Sequence, residues 1–333
     1  MSYSELPRKI VVEKGAVNKI ENVIGGLGPE FLVVVDPITK DIAGEAVRKN
    51  VGGKLFIISN STLEEVKRLE AEKADCIISV GGGKVIDVGK LASHNKKIPF
   101  ISIPTACSHD GIASRNASIT VDGKSASFTA TTPFAIIADL DILLKAPYRF
   151  SAAGAADVIS NYTAVFDWRL AKDNGEEYRE EAANLALLAA DLVSNNTKQI
   201  KEKTEKGIYN LVWSLIYSSI SMTLAGSSRP ASGAEHLFSH ALDSLGSKGV
   251  HGEQVGLGAI IFACLQGQNW KKIKTTLQEL GCPTTAKELD LEQDLLIDAL
   301  IKSKDIRERY TILNQKPLDK ELALKVCKTT GVL

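Results

Sequence analysis

Short, almost wholly apolar runs alternate with amphipathic stretches from residue 9 to about residue 139, and the runs stop after Pro147. FLVVVD (31–36), KLFIIS (54–59), DCIISV (75–80) and FAIIAD (134–139) have the pattern of strands covered on both faces. PFISIP (99–104) reads as a further strand, and KIVV (9–12) as one at an edge. Between them, 38–50 and 62–73 repeat at helical spacing, with Leu63, Val66 and Leu69 on one face. ASIT, VDGK and SASF predict a hairpin turning at Asp122-Gly123. Such alternation predicts βαβ units and a Rossmann-like, mostly parallel sheet, whose ligands bind at the carboxyl ends of the strands. From Tyr148 onward only helical periods recur, which predicts an all-α bundle. The break at Lys145-Ala146-Pro147 sets the expected domains: α/β over 1–146 and all-α over 147–333.

Composition narrows the class. The 333 residues hold 40 basic and 40 acidic side chains, so no net charge favours nucleic acid or an anionic membrane. Residues 207–228 carry one long uncharged stretch, but Asn210, Trp213, Tyr217 and several serines make it too polar for a lipid-facing span. A helix buried in the bundle is expected instead. The five cysteines are scattered and never form a CxxC pair, as in a reduced cytoplasmic protein. MSYSELPRKI has no apolar signal-peptide core.

Two stretches carry candidate chemistry. Gly81, Gly82, Gly83, Lys84, Val85, Ile86 and Asp87 lie between a strand and a helix, where backbone N–H groups and the helix dipole suit a phosphate or pyrophosphate. A tight turn uses the same residues, and the run is not the GxGxxG fingerprint. Asp36, ending the first buried strand, suits a ribose hydroxyl or the cap of the next helix. Thr105, Ser108 and Ser114 offer hydroxyls to a cofactor, and Asp110 reaches a substrate or closes an Asx-turn.

The second stretch is RPASGAEHLFSHALDSLGSKGVHG (229–252), which holds three of the five histidines. His236 and His240 share a helix face, and His251 follows a loop; neutral imidazoles so placed suit a metal, while each alone suits a satisfied core histidine. Asp157 lies among Ala153, Gly154, Ala155, Ala156, Val158 and Ile159 and reads as the single buried acid of its segment. It needs a cation or a salt bridge to Arg149 or Arg169. With His236 and His251 it makes three ligands and an open fourth position, the catalytic form of a zinc site. Ser227, Ser228 and Arg229 are candidates for a substrate anion; Arg229 also suits a helix cap or an acidic partner.

GGGKVID (81–87), PTACSHDGIAS (104–114), AGAADVISNY (153–162), RPASGAEHLFSHALD (229–243) and HGEQVGLG (251–258) carry a likeness that covers essentially the full length of the chain. On these motifs it resembles the iron-containing alcohol dehydrogenase, glycerol dehydrogenase and dehydroquinate synthase superfamily, and within it the archaeal sn-glycerol-1-phosphate dehydrogenases. The resemblance implies a dehydroquinate synthase-like architecture and one zinc per subunit on Asp157, His236 and His251. It implies NAD(P)H on the 81–87 loop, Thr105, Ala106, Cys107, Ser108 and Ser114, with Asp36 near the adenosine ribose. Asp110, Asp157 and His240 would meet the substrate. The implied reaction is reduction of dihydroxyacetone phosphate to sn-glycerol 1-phosphate for ether lipids, by a cytoplasmic homo-oligomer without membrane insertion or nucleic acid. A glycerol dehydrogenase and a dehydroquinate synthase-type lyase are the rival members. Iron-dependent members typically place a histidine where this chain has Asn161, which favours zinc.

Overall fold

The computed structural model describes residues 6–121 and 123–333. The chain divides into two compact units, Met1–Ser151 and Ala152–Leu333. The strands are β1 (Lys9–Glu13), β2 (Phe31–Val35), β3 (Lys54–Ile57), β4 (Cys76–Gly81), β5 (Phe100–Pro104), β6 (Asn116–Val121), β7 (Lys124–Thr129) and β8 (Ala135–Asp139). Six of them form one sheet in the order β1-β8-β5-β4-β2-β3, every pair parallel. β6 and β7 form a separate antiparallel hairpin; Asp122, placed at its tip from the sequence, lies outside the described residues.

From β2 onward the order is that of the flavodoxin-like doubly wound sheet, whose topological switch lies between β2 and β4. Chain direction therefore opens a crevice at the ends of these two strands, where Asp36 and the glycine loop stand. β2, β4, β5 and β8 are buried at every position, as continuous apolar runs require. β3 corrects the reading that it too is covered on both faces: it is the far edge, and Ile57 is 44% exposed. The segment expected as one helix over 38–50 is a short α turn (Pro37–Thr39), a π turn (Lys40–Gly44) and an α-helix (Glu45–Val51). Gly44 permits the close pass over β2, since a Cβ there would stand 2.5 Å from Val35 Cγ1. Two longer helices complete the unit, α1 (Leu63–Glu70) and α2 (Gly83–Lys96).

The second unit is helical. α3 (Tyr148–Ile159) starts at the end of the first unit and is followed by α4 (Asn161–Lys172), α5 (Glu180–Ser194), α6 (Glu205–Ala225), α7 (Ala234–Ser244) and α8 (His251–Gln266). α9 (Trp270–Glu279), α10 (Gln293–Lys302) and α11 (Lys320–Thr330) close the chain. α6 is long and apolar enough to cross a membrane by those two criteria, yet 67% of its most apolar window is buried within the unit. It lies along α5, and several of its polar side chains are paired internally: Ser214 Oγ donates to Asn210 O at 2.8 Å, and Asn210 Nδ2 to Asn196 Oδ1 at 2.8 Å. A core helix is the outcome expected from its serines and asparagine.

Candidate metal centre and glycine loop

Three glycines of α8 set how closely the helices that carry the candidate ligands approach. A Cβ at Gly252 would lie 2.1 Å from the Ala153 carbonyl oxygen of α3; one at Gly256 would lie 2.9 Å from Ala156 Cβ. At Gly258 it would lie 3.1 Å from the backbone of Glu235 on α7. α8 therefore packs directly on the small residues around Asp157 and on the helix carrying His236. His251, following the loop as expected, is the first residue of α8, so Gly252 places it directly against α3.

The approach brings three ligand atoms together. Asp157 Oδ1 lies 3.5 Å from His236 Nε2 and 3.9 Å from His251 Nε2, and all three donors fall within 4.8 Å of one another. Donors about 2.0–2.1 Å from a tetrahedral ion stand roughly 3.4 Å apart, so the set fits a small divalent cation with slight closure. The outer nitrogens fix the tautomers. Ser239 Oγ donates to Gln254 Oε1 at 2.7 Å, so His251 Nδ1–H donates to Ser239 Oγ at 3.0 Å. His236 Nδ1–H donates to Glu235 Oε1 at 3.0 Å. Both Nε2 atoms then face Asp157, the arrangement in which partners behind the ligands orient them toward a metal.

Charge agrees with geometry. Burial alone would lower the His236 pKa, but Asp157 and Glu235 outweigh it and raise it to about 9. The buried acids thus draw a positive charge into this position, and a cation satisfies the same demand. Glu235, fully buried, also accepts the Gly233 N–H and, at 2.8 Å, the Thr163 hydroxyl. His240 has its ring centroid 5.9 Å from that of His251; burial, then the charges of His251, His236, Arg307 and Arg309, push its pKa down to about 2.

Neighbouring residues correct several expectations. Asp157 is not the single buried acid of its segment: Asp167 is completely buried and accepts the N–H groups of Ala234 and Ile312 at 2.8 Å each, tying the start of α7 to residue 312. Burial and Glu235 raise its pKa to about 7, against the lowering effect of those donors. Asn161 turns away from the ligand set, its Nδ2 donating to Ala186 O at 3.1 Å and Ser218 Oγ at 3.2 Å. Arg229 is committed to structure: it grips Glu176 through Nε at 2.9 Å and through Nη2, and donates to Tyr310 O at 2.7 Å. Arg169 meets the Tyr178 hydroxyl, 3.2 Å from its Nε.

In the first unit the glycine run divides by cause. A Cβ at Gly83 would strike His109 Nε2 at 2.1 Å, and one at Gly81 would meet Val85 at 2.6 Å; at Gly82 the space is open. Val85 and Ile86 point into the core and donate their N–H groups to Gly82 O at 3.1 and 3.0 Å. The N–H groups of Gly83 and Lys84, at the open start of α2, are those left for a ligand. Asp87 is buried and committed: Oδ2 accepts the Ser118 N–H at 3.0 Å and Oδ1 pairs with Lys90 at 3.1 Å. Asp36 caps the next turn, Oδ1 accepting the N–H groups of Ile38 and Thr39 at 3.0 and 2.8 Å. Its Oδ2 faces Lys84 at 3.5 Å. Burial raises its pKa, but the Thr39 bonds and Lys84 more than offset this, and the acid stays ionised.

After β5, Thr105 donates its N–H to Gly81 O at 3.0 Å and is buried, as are Cys107 and Ser114, while Ala106 and Ser108 are half-buried. Asp110 opens a short 3-10 turn (Asp110–Ile112), with the preceding His109 Nδ1 accepting the Gly111 N–H at 2.9 Å.

Comparison with known proteins places the chain. Residues 11–147 match the iron-containing alcohol dehydrogenase family. The glycerol-1-phosphate dehydrogenase (NAD(P)+) of Pyrococcus abyssi is 47% identical, and that of Pyrococcus horikoshii 48%, each over 100% of both chains. Among solved structures, a probable glycerol dehydrogenase from Sinorhizobium meliloti superposes with a TM-score of 0.83 over 98% of each chain at 19% identity, a likeness of fold. By its full-length similarity, this chain belongs to the glycerol-1-phosphate dehydrogenase family of the iron-containing alcohol dehydrogenases.

Proposed function

We propose that this protein is the NAD(P)H-dependent enzyme that reduces dihydroxyacetone phosphate to sn-glycerol 1-phosphate, the backbone of archaeal ether lipids, in the cytoplasm. Its full-length identity of 47–48% to enzymes named for that product carries the reading. A zinc ion on Asp157, His236 and His251 would supply Lewis-acid polarisation of the substrate carbonyl, and the nicotinamide the hydride. Zinc is favoured because the donor set is two imidazoles and one carboxylate, with Asn161 turned elsewhere.

The first unit, in this reading, binds the dinucleotide. Gly83 and Lys84 N–H groups take the pyrophosphate, Thr105, Ser108 and Ser114 line the path, and Asp36 Oδ2 accepts from the adenosine ribose. Lys84, beside Asp36, softens the repulsion of a 2′-phosphate and supports use of both NADH and NADPH. The second unit binds the substrate. Glu235 and Ser239 hold the two histidine tautomers, so the ligand atoms need not reorganise as charge builds on the substrate oxygen. Neutral His240 would relay a proton to the C2 oxygen through its own hydrogen bond or a water, and Asp110 is a further substrate contact.

NADH oxidation by the zinc-loaded protein, with chiral analysis of the product, tests this. Dihydroxyacetone phosphate should give sn-glycerol 1-phosphate far faster than dihydroxyacetone gives glycerol. Preference for the unphosphorylated polyol would make it a glycerol dehydrogenase. Turnover without net loss of NADH would make it a lyase.

A further inference from the structure

Beside α7, the helix of His236, lie three arginines, of which Arg229 alone, among the described residues, has a carboxylate in its grip. The other two come from the irregular segment after the Ser303–Asp305 turn. That turn packs against α7. Arg309 ties the segment to the entry of the same helix, donating to Ser232 O and, at 2.7 Å, to Ser228 Oγ, both neutral oxygens. Arg307 is held between these two anchor points. It is half-buried, and among the described residues its guanidinium has no hydrogen-bond or ion-pair partner.

A guanidinium keeps its charge at neutral pH, so leaving one partly desolvated and unpaired beside a second is unfavourable. Burial lowers the pKa of both, and that of Arg309 falls to about 9 with help from Arg307 and Arg229. Their charge is felt at His240, beside the ligand His251. Two neighbouring guanidinium forks, neither paired with a carboxylate at hydrogen-bond distance among the described residues, are complementary to an oxyanion of two negative charges.

We propose that Arg307, backed by Arg309, receives the phosphate of the substrate, while the carbonyl is held at Asp157, His236 and His251. The assignment rests on the function proposed above. It also gives the specificity a cause, since an unphosphorylated triose would leave Arg307 unpaired.

The test compares wild type, Arg307→Gln and Arg307→Lys, zinc-loaded and with NADH. The kcat/KM ratio for dihydroxyacetone phosphate over dihydroxyacetone should fall roughly 10- to 100-fold in Arg307→Gln. Arg307→Lys should recover part of the loss. Inorganic phosphate, titrated calorimetrically into the same proteins, should bind more weakly in the same order, which a merely structural arginine would not produce. A ratio and a phosphate affinity both unchanged in a folded, NADH-binding Arg307→Gln protein would overturn the assignment and leave the function standing. A wild-type protein without preference for the phosphorylated substrate would overturn the function itself.

Discussion

Two buried polar clusters, one in each unit, contain a carboxylate facing cationic or imidazole groups, and only one has the form of a reactive centre. In the first, Lys90 is wholly inaccessible, and its ammonium donates to Asp87 Oδ1 at 3.1 Å and to Gly111 O and Asn116 O at 2.7 Å each. Three donors meet three acceptors, and Asp87 has its remaining oxygen on the Ser118 N–H. In the second, every outward nitrogen is satisfied by Glu235 or Ser239, while the inward Nε2 atoms converge on Asp157 Oδ1. The difference is where satisfaction ends. A structural cluster closes on itself; a metal centre is saturated around its rim and left with lone pairs at its middle.

Removing the central carboxylate should separate the two most sharply. Asp157→Ala takes away the charge that draws a cation in, so metal should be lost and turnover should fall at least about 10³-fold. Binding of NADH, measured by fluorescence, should persist. Near-normal turnover in a metal-free Asp157→Ala protein would remove the metal from the mechanism. The mirror experiment is Lys90→Met, which strands Asp87 and two carbonyl groups in the interior. Here stability should drop by about 3–5 kcal/mol in urea unfolding of the first unit. Zinc content of whatever remains folded should be unchanged; a loss of zinc would mean that the two clusters are not independent.

How far each cluster could be read from sequence differs for a physical reason. The candidate ligands were legible: three histidines in 229–252 and an acid among alanines are unusual enough to notice. Glu235 and Ser239 were not, because a glutamate and a serine on a helix look like solvent-facing residues until packing shows that both are buried. Asp167 escaped for the same reason, lying between Phe166 and Trp168 in what reads as an amphipathic helix. Lys90 is the extreme case, a lysine that two distant carbonyl groups and an acid one helical turn away make tolerable inside. The strands were legible as apolar runs, but β3 shows the limit: edge or centre depends on which strands pair beyond it, and that is not written locally. The glycine run drew attention as a phosphate loop, yet Gly81 and Gly83 are already required by Val85 and His109.

The glycines of α8 offer an intermediate perturbation. Gly252→Ala would force α8 and α3 apart at the Ala153 carbonyl, at an overpacking cost of about 1–3 kcal/mol. Because His251 is the adjacent residue, zinc affinity should fall together with stability. Loss of stability with undiminished zinc affinity would show that the contact shapes the bundle but not the ligand distance.

The gentlest test touches only the rim. Ser239 accepts the His251 Nδ1–H and passes its own proton to Gln254, which in turn donates to Ser247 Oγ at 3.2 Å. In Ser239→Ala the imidazole keeps its place in the packing but loses the acceptor that fixes its tautomer. Partners of this kind are worth roughly 10- to 100-fold in metal affinity. The lower end is expected here, because a neutral hydroxyl orients an imidazole less strongly than a carboxylate does. Glu235→Gln, at the carboxylate partner of His236, should therefore lose more zinc affinity than Ser239→Ala when both are titrated against the same chelator. Equal losses would mean that the rim works by orientation alone, and that the charge of Glu235 contributes nothing to holding the cation.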